Sequence, residues 1–306
     1  MPLQTLLPIF VYFLIGFLLR LSGLARSEQA AFLFRLAFYV TLPALVFLAI
    51  ADAELSRRTI LLPVAGITVN IVCAMSAILY VRLTKLDNRR AGAVVLGAGI
   101  MNTLFVFPFI LSVLGQVALA EAILFDIGNA VFVGTIAYSV AVYFGKAKTA
   151  SAVSYLFKTI RAPIFVAVVA ALIINAFQIS VPTIAHNILS PLGSATIPLV
   201  LIAVGISFST VGLAGPLTVV TVLLRMLLGL IAGLLIAWAF GFEGLTAAVV
   251  VVLAAAPIGF NSVPMASIGE LDTEQAAAAL SVSIAIGMVS TTLLLFAALR
   301  WLGLDV

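Results

Sequence analysis

The stretch AAAPIGFNSVP, residues 254–264, interrupts one of the most apolar parts of the chain. Its helix-breaking and polar residues are Pro257, Gly259, Asn261, Ser262 and Pro264. A proline inside a helix removes one donor and frees the carbonyl about four residues before it. In lipid, such free backbone groups are tolerated only where they are buried in protein or line a wet cavity. The stretch therefore predicts a break in a membrane helix.

The composition around this stretch excludes a soluble protein. Of 306 residues, 64% are hydrophobic and only 8% are charged, whereas soluble domains carry about 25% charged residues. The chain is therefore predicted to be an integral membrane protein. Its net charge of +4 is read as an orientation signal in loops, so no nucleic-acid partner is expected. Cys73 is the single cysteine, which excludes an internal disulfide.

A membrane-spanning helix needs about 20 mostly apolar residues. On this criterion the sequence predicts ten spans, at about 4–23, 31–50, 60–81, 92–115, 119–144, 160–178, 195–212, 216–240, 245–268 and 275–299. No long soluble loop separates them, which predicts a single transmembrane domain over residues 1–306 in the plasma (inner) membrane.

Basic residues predict the orientation of these spans. If the N-terminus lies outside, the inner loops hold eleven basic residues: Arg20, Arg26, Arg35, Arg82, Lys85, Arg89, Arg90, Lys146, Lys148, Lys158 and Arg161. The outer side holds Arg57, Arg58 and Arg300. Since positive charge accumulates on the inner side, both termini are predicted to face outward.

The chain also carries an internal repeat with an offset of about 155 residues. PIFV occurs at 8–11 and 163–166, and TLP at 41–43 corresponds to TIP at 196–198. Pro63 and Pro108 have counterparts in Pro216 and Pro264. The predicted repeats cover about 1–148 and about 155–306, with five spans each. Because five is odd, the second copy enters the membrane with the opposite orientation, an architecture typical of alternating-access transporters.

The fourth and ninth spans are the predicted site, because both carry Asn beside Thr or Ser near a proline. The pairs are Asn102 with Thr103 and Asn261 with Ser262. Discontinuous helices at matching positions of two repeats indicate a binding site. Their N-terminal ends favour an anion such as a carboxylate, while freed carbonyls could instead hold Na⁺. A proline kink that is only packed against neighbours is the alternative.

Two ionisable residues, Asp126 and Arg225, lie well inside predicted spans rather than near their ends. Such residues are functional candidates because burial of charge is costly. Asp126 shares a helix face with Asn129, one turn away. Three roles are open for Asp126: proton coupling, cation binding, or a hydrogen bond that braces the broken spans. Arg225 could neutralise an anionic substrate, pair with Asp126, extend to the interface, or bond freed carbonyls. Its repeat counterpart is Asn70 or Val72.

Three motifs resemble a known family. NTLFVFP at 102–108, FDIGNA at 125–130 and APIGFNSVP at 256–264 are similar to the auxin efflux carrier family, and the chain as a whole resembles a bacterial member. The resemblance implies a carrier for small organic acids such as malate, malonate or auxin-like acids. It also implies a distant fold similarity to sodium–bile-acid symporters and sodium/proton antiporters.

The resemblance further implies how the spans divide. Spans one, two, six and seven would form a scaffold, through which a homodimer is plausible, and the other spans would form the transport core. The broken spans four and nine would cross near Pro108, Pro257 and Pro264, with Asn102 and Asn261 near the substrate.

We therefore expect an all-α secondary transporter of small organic anions that works by alternating access. The alternative is a sodium- or proton-coupled cation antiporter, or a sodium symporter, centred on Asp126. A passive channel is a further alternative. An intramembrane protease is not expected, because the single His, His186, falls in a predicted outer loop and only one membrane aspartate is present. No cofactor or structural metal is expected, apart from coupling to protons or Na⁺.

Overall fold

The structure is a computed structural model, and it describes residues 2–53, 57–146, 160–208 and 215–303. All regular secondary structure within these residues is helical. The α-helices are α1 Pro2–Leu21, α2 Ser27–Leu36, α3 Leu42–Ala51, α4 Leu62–Thr84, α5 Asn88–Gly99, α6 Thr103–Phe132, α7 Tyr138–Phe144, α8 Pro163–Ala176, α9 Thr183–Ser194, α10 Thr196–Ser207, α11 Pro216–Val222, α12 Leu228–Ala239, α13 Gly244–Ala254, α14 Ser262–Ile268 and α15 Thr273–Trp301. Lys148, Lys158 and the predicted junction between the repeats lie outside the described residues.

Short π-helical turns join three pairs of these helices without a break. They are Ala37–Thr41 between α2 and α3, Val133–Ala137 between α6 and α7, and Leu223–Leu227 between α11 and α12. Five helices have a proline in their first two positions: Pro2, Pro43, Pro63, Pro163 and Pro216. At a free helix start, as at Pro163 and Pro216, a proline costs no hydrogen bond, since the first N–H groups of a helix have no partner inside it. Pro43 instead follows a π-helical turn within a continuous helix.

Seven helical segments in the described part of the chain are apolar and long enough to cross a membrane. They are Gln4–Leu21, Ser27–Ala51, Thr59–Thr84, Thr103–Phe144, Thr183–Ser207, Pro216–Ala239 and Thr273–Trp301. Two further apolar helices, α8 and α13, are shorter. The protein is therefore a multi-pass integral membrane protein.

The number seven differs from the predicted ten for identifiable reasons. The 42-residue segment Thr103–Phe144 is about twice the length of one crossing. It contains a kink at Gly115, whose φ of 84° and ψ of −171° are not helical, close to the predicted end of span four. The ninth predicted span is divided between α13 and α14, and the sixth is represented by the 14 residues of α8.

The fourth and ninth predicted spans are each interrupted. Helix α5 ends at Gly99 and α6 begins at Thr103, while α13 ends at Ala254 and α14 begins at Ser262. Pro257 and Gly259 lie inside the second interruption.

Two proline positions differ from the prediction. Pro108 lies inside α6 rather than in the interruption, since the chain has already resumed its helix at the Asn102 cap. Pro264 is the third residue of α14, where its missing N–H costs no helical bond.

His186 lies in a helix rather than in the outer loop that the sequence predicted. It belongs to α9, which runs almost directly into α10 and starts the seventh span about twelve residues before its predicted start. Its Nε2 atom lies 3.5 Å from a carboxylate oxygen of Asp52.

The chain folds as two compact units that alternate along the sequence. The first contains Met1–Ser56, Phe107–Ile123 and Lys158–Phe208, and the second contains Arg57–Val106, Leu124–Phe157 and Ser209–Val306. The expected scaffold spans one, two, six and seven fall in the first unit, which also takes the 107–123 segment that the prediction assigned to the core.

Close helix contacts stabilise each unit. In the first unit, α1 packs against α10, where a Cβ at Gly205 would lie 2.8 Å from the backbone nitrogen of Phe17. Also in this unit, Thr196 donates a hydrogen bond of 2.9 Å to Thr41. In the second unit, a Cβ at Gly128 would lie 2.6 Å from the nitrogen of Ile67 on α4. Small residues permit this close approach of membrane helices.

Candidate functional site

The two helix interruptions meet inside the second unit and join through their backbones. Asn102 N donates to Pro257 O at 2.9 Å, and Gly259 N donates to Ile100 O at 2.8 Å. These bonds flank an antiparallel bridge between Met101 and Ile258. The pairing satisfies backbone groups that would otherwise be costly to leave free in a membrane.

Two glycines make room for this junction. A Cβ at Gly259 would lie 2.6 Å from the carbonyl oxygen of Met101 and 2.7 Å from the Cγ2 atom of Ile100. On α15, a Cβ at Gly287 would collide with the ring of Pro257. The junction therefore depends on the absence of side chains at these two positions.

Asn102 caps the start of α6 with one end of its amide. Its Oδ1 atom accepts a hydrogen bond of 3.2 Å from Phe105 N. Its Nδ2 atom is buried and has no partner among the described residues. Asn102 therefore keeps a free donor beside the junction.

The second interruption supplies another buried polar atom. Ser262, the first residue of α14, is fully buried, and its Oγ atom has no partner in the described part of the chain. Neighbouring Asn261 is exposed and makes no side-chain cap. The two predicted members of this pair thus occupy different environments.

Asp126 lies half-buried on α6 and accepts two hydrogen bonds at Oδ1. Thr103 Oγ1 donates at 2.5 Å, and Asn129 Nδ2 donates at 2.8 Å. Asn129 Nδ2 also lies 3.4 Å from Met101 O. The carboxylate is therefore connected to the start of α6 and to the backbone junction.

From Asn129 the hydrogen bonds continue to a buried arginine. Asn70 Nδ2 on α4 donates to Asn129 Oδ1 at 2.9 Å, and Arg225 Nη1 donates to Asn70 Oδ1 at 3.3 Å. Thr103, Asp126, Asn129, Asn70 and Arg225 thus form one polar network. We call these five residues the core network.

Arg225 lies in the π-helical turn between α11 and α12 and is fully buried. Its Nη1 atom donates to Ala98 O at 3.2 Å, and its Nη2 atom donates to Ala254 O at 2.6 Å. Its Nε atom has no partner among the described residues. Of the roles left open by the sequence, the structure supports bonding of freed carbonyls. The two residues of the suggested Arg225–Asp126 pair make no ion pair with each other.

The predicted site residues thus separate into two groups. The structure connects Asn102, Thr103, Pro257, Gly259, Asp126, Asn129 and Arg225 through the junction and the core network. Ser262 is buried at the adjoining helix start, whereas Asn261 and Pro264 are exposed, and Pro108 belongs to the first unit.

Two polar residues of the junction were absent from the predicted site. Asn70 was noted only as a repeat counterpart of Arg225, and that position was its one signal in the sequence. Ser283 on α15 accepts a bond of 3.0 Å from Ile258 N, and nothing in the surrounding sequence distinguishes it. Within the described residues, no group of three or more His, Cys, Asp or Glu could hold a metal ion.

Two interrupted helices joined at a polar junction, in a chain with at least seven apolar spans, are typical of a membrane transporter. A family model described as membrane transport protein matches residues 2–154 and 148–295. The chain therefore belongs to this family, the resemblance to auxin efflux carriers is confirmed, and the protein is a transporter rather than an enzyme.

Two archaeal relatives are similar along much of their length. An uncharacterized transporter of Methanothermobacter thermautotrophicus is 25% identical over 296 residues, which cover 95% of this chain and 96% of the relative. An uncharacterized transporter of Methanocaldococcus jannaschii is 25% identical over 215 residues, covering 68% of this chain and 69% of the relative.

Proposed function

We propose that the protein is a secondary active transporter that moves small organic anions, such as malate, malonate or an auxin-like acid, by alternating access. The observation that carries this proposal is a pair of buried polar atoms, Asn102 Nδ2 and Ser262 Oγ, that have no partner among the residues that the structure describes. Buried donors are costly to leave unpaired. A carboxylate would accept from both, and the N-terminal end of α6 would favour its negative charge.

The proposed architecture has ten spans in two inverted repeats, with interrupted helices that cross at the junction. Support comes from two hydrogen bonds between residues exactly one repeat offset apart in sequence, Thr41 with Thr196 and Asn70 with Arg225, each separated by 155 residues. Around a twofold axis, a residue touches its own counterpart only close to the axis. The two bonds are therefore expected of an inverted repeat.

Hydrogen bonds between loops support the side of the membrane on which the ten-span topology places them. In the second unit, Asp272 N donates to Arg89 O, Lys146 N donates to Gly269 O, and Arg89 Nε donates to Glu270 O. These contacts bring together three loops that the ten-span topology puts on one side. We propose that this side is cytoplasmic and that both termini face outward from the plasma (inner) membrane.

The experiment is uptake of labelled malonate or malate into liposomes that contain the purified protein, under a proton gradient and then a sodium gradient. Saturable uptake with exchange of internal for external substrate is expected, and it distinguishes a carrier from a channel. No uptake of any organic anion in a wider screen, together with sodium/proton exchange, would favour the cation antiporter centred on Asp126 instead.

Two variants test the site itself. Asn102→Asp keeps the acceptor that caps α6 but replaces the free donor by a negatively charged oxygen, and Ser262→Ala removes only the Oγ atom. A hydrogen bond to a charged group contributes about 1.5–3 kcal/mol, so each variant is expected to bind the anion at least about tenfold more weakly. The exposed residues Asn187 and Ser267 provide matched controls as Asn187→Asp and Ser267→Ala. An equal loss of anion affinity in the two control variants would contradict the assignment of Asn102 and Ser262 to the binding site.

A homodimer through helices of the first unit is proposed as the assembly. Large apolar side chains on α1 and α8 are more than half exposed, among them Leu7, Leu18, Val166 and Val169. A second copy or lipid would cover them, and crosslinking in membranes between cysteines introduced on α1 or α8 separates these two cases.

A further inference from the structure

Two carbonyl oxygens at the junction lack their usual helical donors, because the N–H groups that would bond to them donate to other acceptors. In a continuous helix, Ala98 O would accept from Asn102 N, and Ala254 O would accept from Ile258 N. Asn102 N instead donates to Pro257 O, and Ile258 N donates to Ser283 Oγ. The C-terminal ends of α5 and α13 therefore each present a free carbonyl oxygen.

Both free carbonyls point to the same cation, the guanidinium of Arg225. Its three neutral acceptors are Ala98 O, Ala254 O and Asn70 Oδ1, at 3.2, 2.6 and 3.3 Å. In broken-helix transporters, carbonyls at such helix ends are the groups that coordinate Na⁺. Here a side chain of the protein occupies that position.

The charge balance at this position supports the comparison with a bound cation. A helix end carries a partial negative charge of about half an elementary charge, so two converging C-terminal ends offset about one positive charge. Arg225 is fully buried, and within the described residues no carboxylate lies at ion-pair distance from it. The helix ends are therefore its main electrostatic partners.

The neighbouring helix leaves space for the guanidinium. Gly229 follows Arg225 by one turn, and a Cβ there would lie 2.5 Å from Nη2 and would also collide with Ala254 O. The guanidinium therefore occupies space that a side chain at residue 229 would otherwise fill.

We propose that Arg225 is a tethered cation that takes the place of a dissociable metal ion between the ends of α5 and α13. Its positioning role is to hold both helix ends without Na⁺, so the intact protein has no sodium requirement at this junction. Truncation of the side chain would leave three oxygen ligands around an empty space, and so create a site for a small monovalent cation.

The test compares thermal unfolding of the full chain in sodium, potassium and choline chloride at equal ionic strength. The wild type is expected to unfold at one temperature in all three salts. Arg225→Ala is expected to unfold at a lower temperature in choline, and sodium or potassium should raise that temperature by about 2–4 °C. Choline is too large to enter the space and serves as the control ion.

Two further variants separate this role from simple packing. Arg225→Met fills the space without a charge, so its unfolding temperature should be lowered and should not respond to sodium. Arg225→Lys retains a cation and is expected to stay closer to the wild type, again without a sodium response. A structural role alone would not produce a sodium response that is confined to the alanine variant.

Several results would overturn the proposal. They are a sodium-specific stabilisation of the wild type, an Arg225→Ala protein that folds but responds equally to all three salts, and an equal sodium response of Arg225→Met. If Arg225→Ala folds in none of the salts, the thermal unfolding curves of the wild type and of Arg225→Met decide whether the proposal stands. The inference concerns the junction of the proposed transporter, but unfolding requires no substrate, so failure to find a transported anion would leave this test unaffected.

Discussion

Asp126 is the one acidic side chain of the core network, and it accepts hydrogen bonds from Thr103 and Asn129. The sequence predicted its proximity to Asn129, because residues three apart on a helix share a face. It did not predict the bond to Thr103, which lies 23 residues away. That contact depends on where the helix resumes and on the kink at Gly115, and neither follows from hydrophobic pattern alone.

Replacement of Asp126 by Asn tests proton coupling. The variant removes the ionisable group but keeps an oxygen that can accept from Thr103, so the fold and substrate binding should be retained. We expect uptake driven by a proton gradient to be lost, while exchange of substrate at equal pH on both sides continues. Measurement of both processes in liposomes over a range of pH checks this, and an unchanged pH dependence would remove the coupling role.

Replacement of Asn70 by Ala tests the centre of the core network. The variant takes an acceptor from Arg225 and leaves Asn129 Oδ1 without its donor. Loss of partners for buried polar groups costs about 1–3 kcal/mol, so the unfolding temperature should fall measurably. The exposed Asn187→Ala is the matched control, and equal behaviour of the two variants would contradict the contribution of the network to stability.

At the level of helices, the interruptions are defined by caps and backbone pairing more than by prolines. Where the sequence predicts a break, one helix ends at Ala254 and the next begins at Ser262. Pro108 lies within α6 rather than in the interruption, and a proline is tolerated in that helix at the cost of about one hydrogen bond. A pairing between the two interruptions could not be predicted, because it joins residues that lie far apart in the sequence.

Replacement of Gly259 by Ala is expected to disrupt the pairing of the interruptions. Its Cβ would approach the backbone oxygen of Met101, which can move only with the junction itself. We expect a destabilisation of about 1–3 kcal/mol and a strong loss of transport. Gly215→Ala is the matched control, because φ there is −88° and the nearest atom to an added Cβ, Thr218 Oγ1, lies 3.9 Å away.

Replacement of Pro108 by Ala should have little effect on transport, in contrast to the role that the sequence suggested. The alanine would restore a donor to the carbonyl of Leu104 inside α6 without changing the interruption at 100–102. Uptake rate and unfolding temperature would be compared with the wild type. A loss of uptake as large as that expected for Gly259→Ala would support a role for Pro108 in the site.

For the whole molecule, the class of protein could be predicted from composition, and the family from three short motifs. The two compact units could not be obtained by dividing the chain at the repeat boundary, because each unit contains residues from both halves. The residues that connect these halves within the second unit are polar and few, and hydrophobic periodicity carries no information about them.

The proposed orientation can be measured in intact cells, because the free Cys73 is fully buried and can be replaced by alanine. A cysteine at exposed Gln178 should react with an impermeant thiol reagent from outside, whereas one at exposed Ser22 should react only after permeabilisation. The reversed pattern would mean that the termini face the cytoplasm.

The junction at Met101 and Ile258 also has a consequence for how the sequence can diverge. Because the two interruptions are joined by backbone atoms, exchange of the side chains of Met101 or Ile258 leaves the bonds themselves available. Evolution can therefore alter most of the surrounding residues and still inherit the same junction. Glycine at positions 259 and 287 is the condition that descendants of this gene must keep.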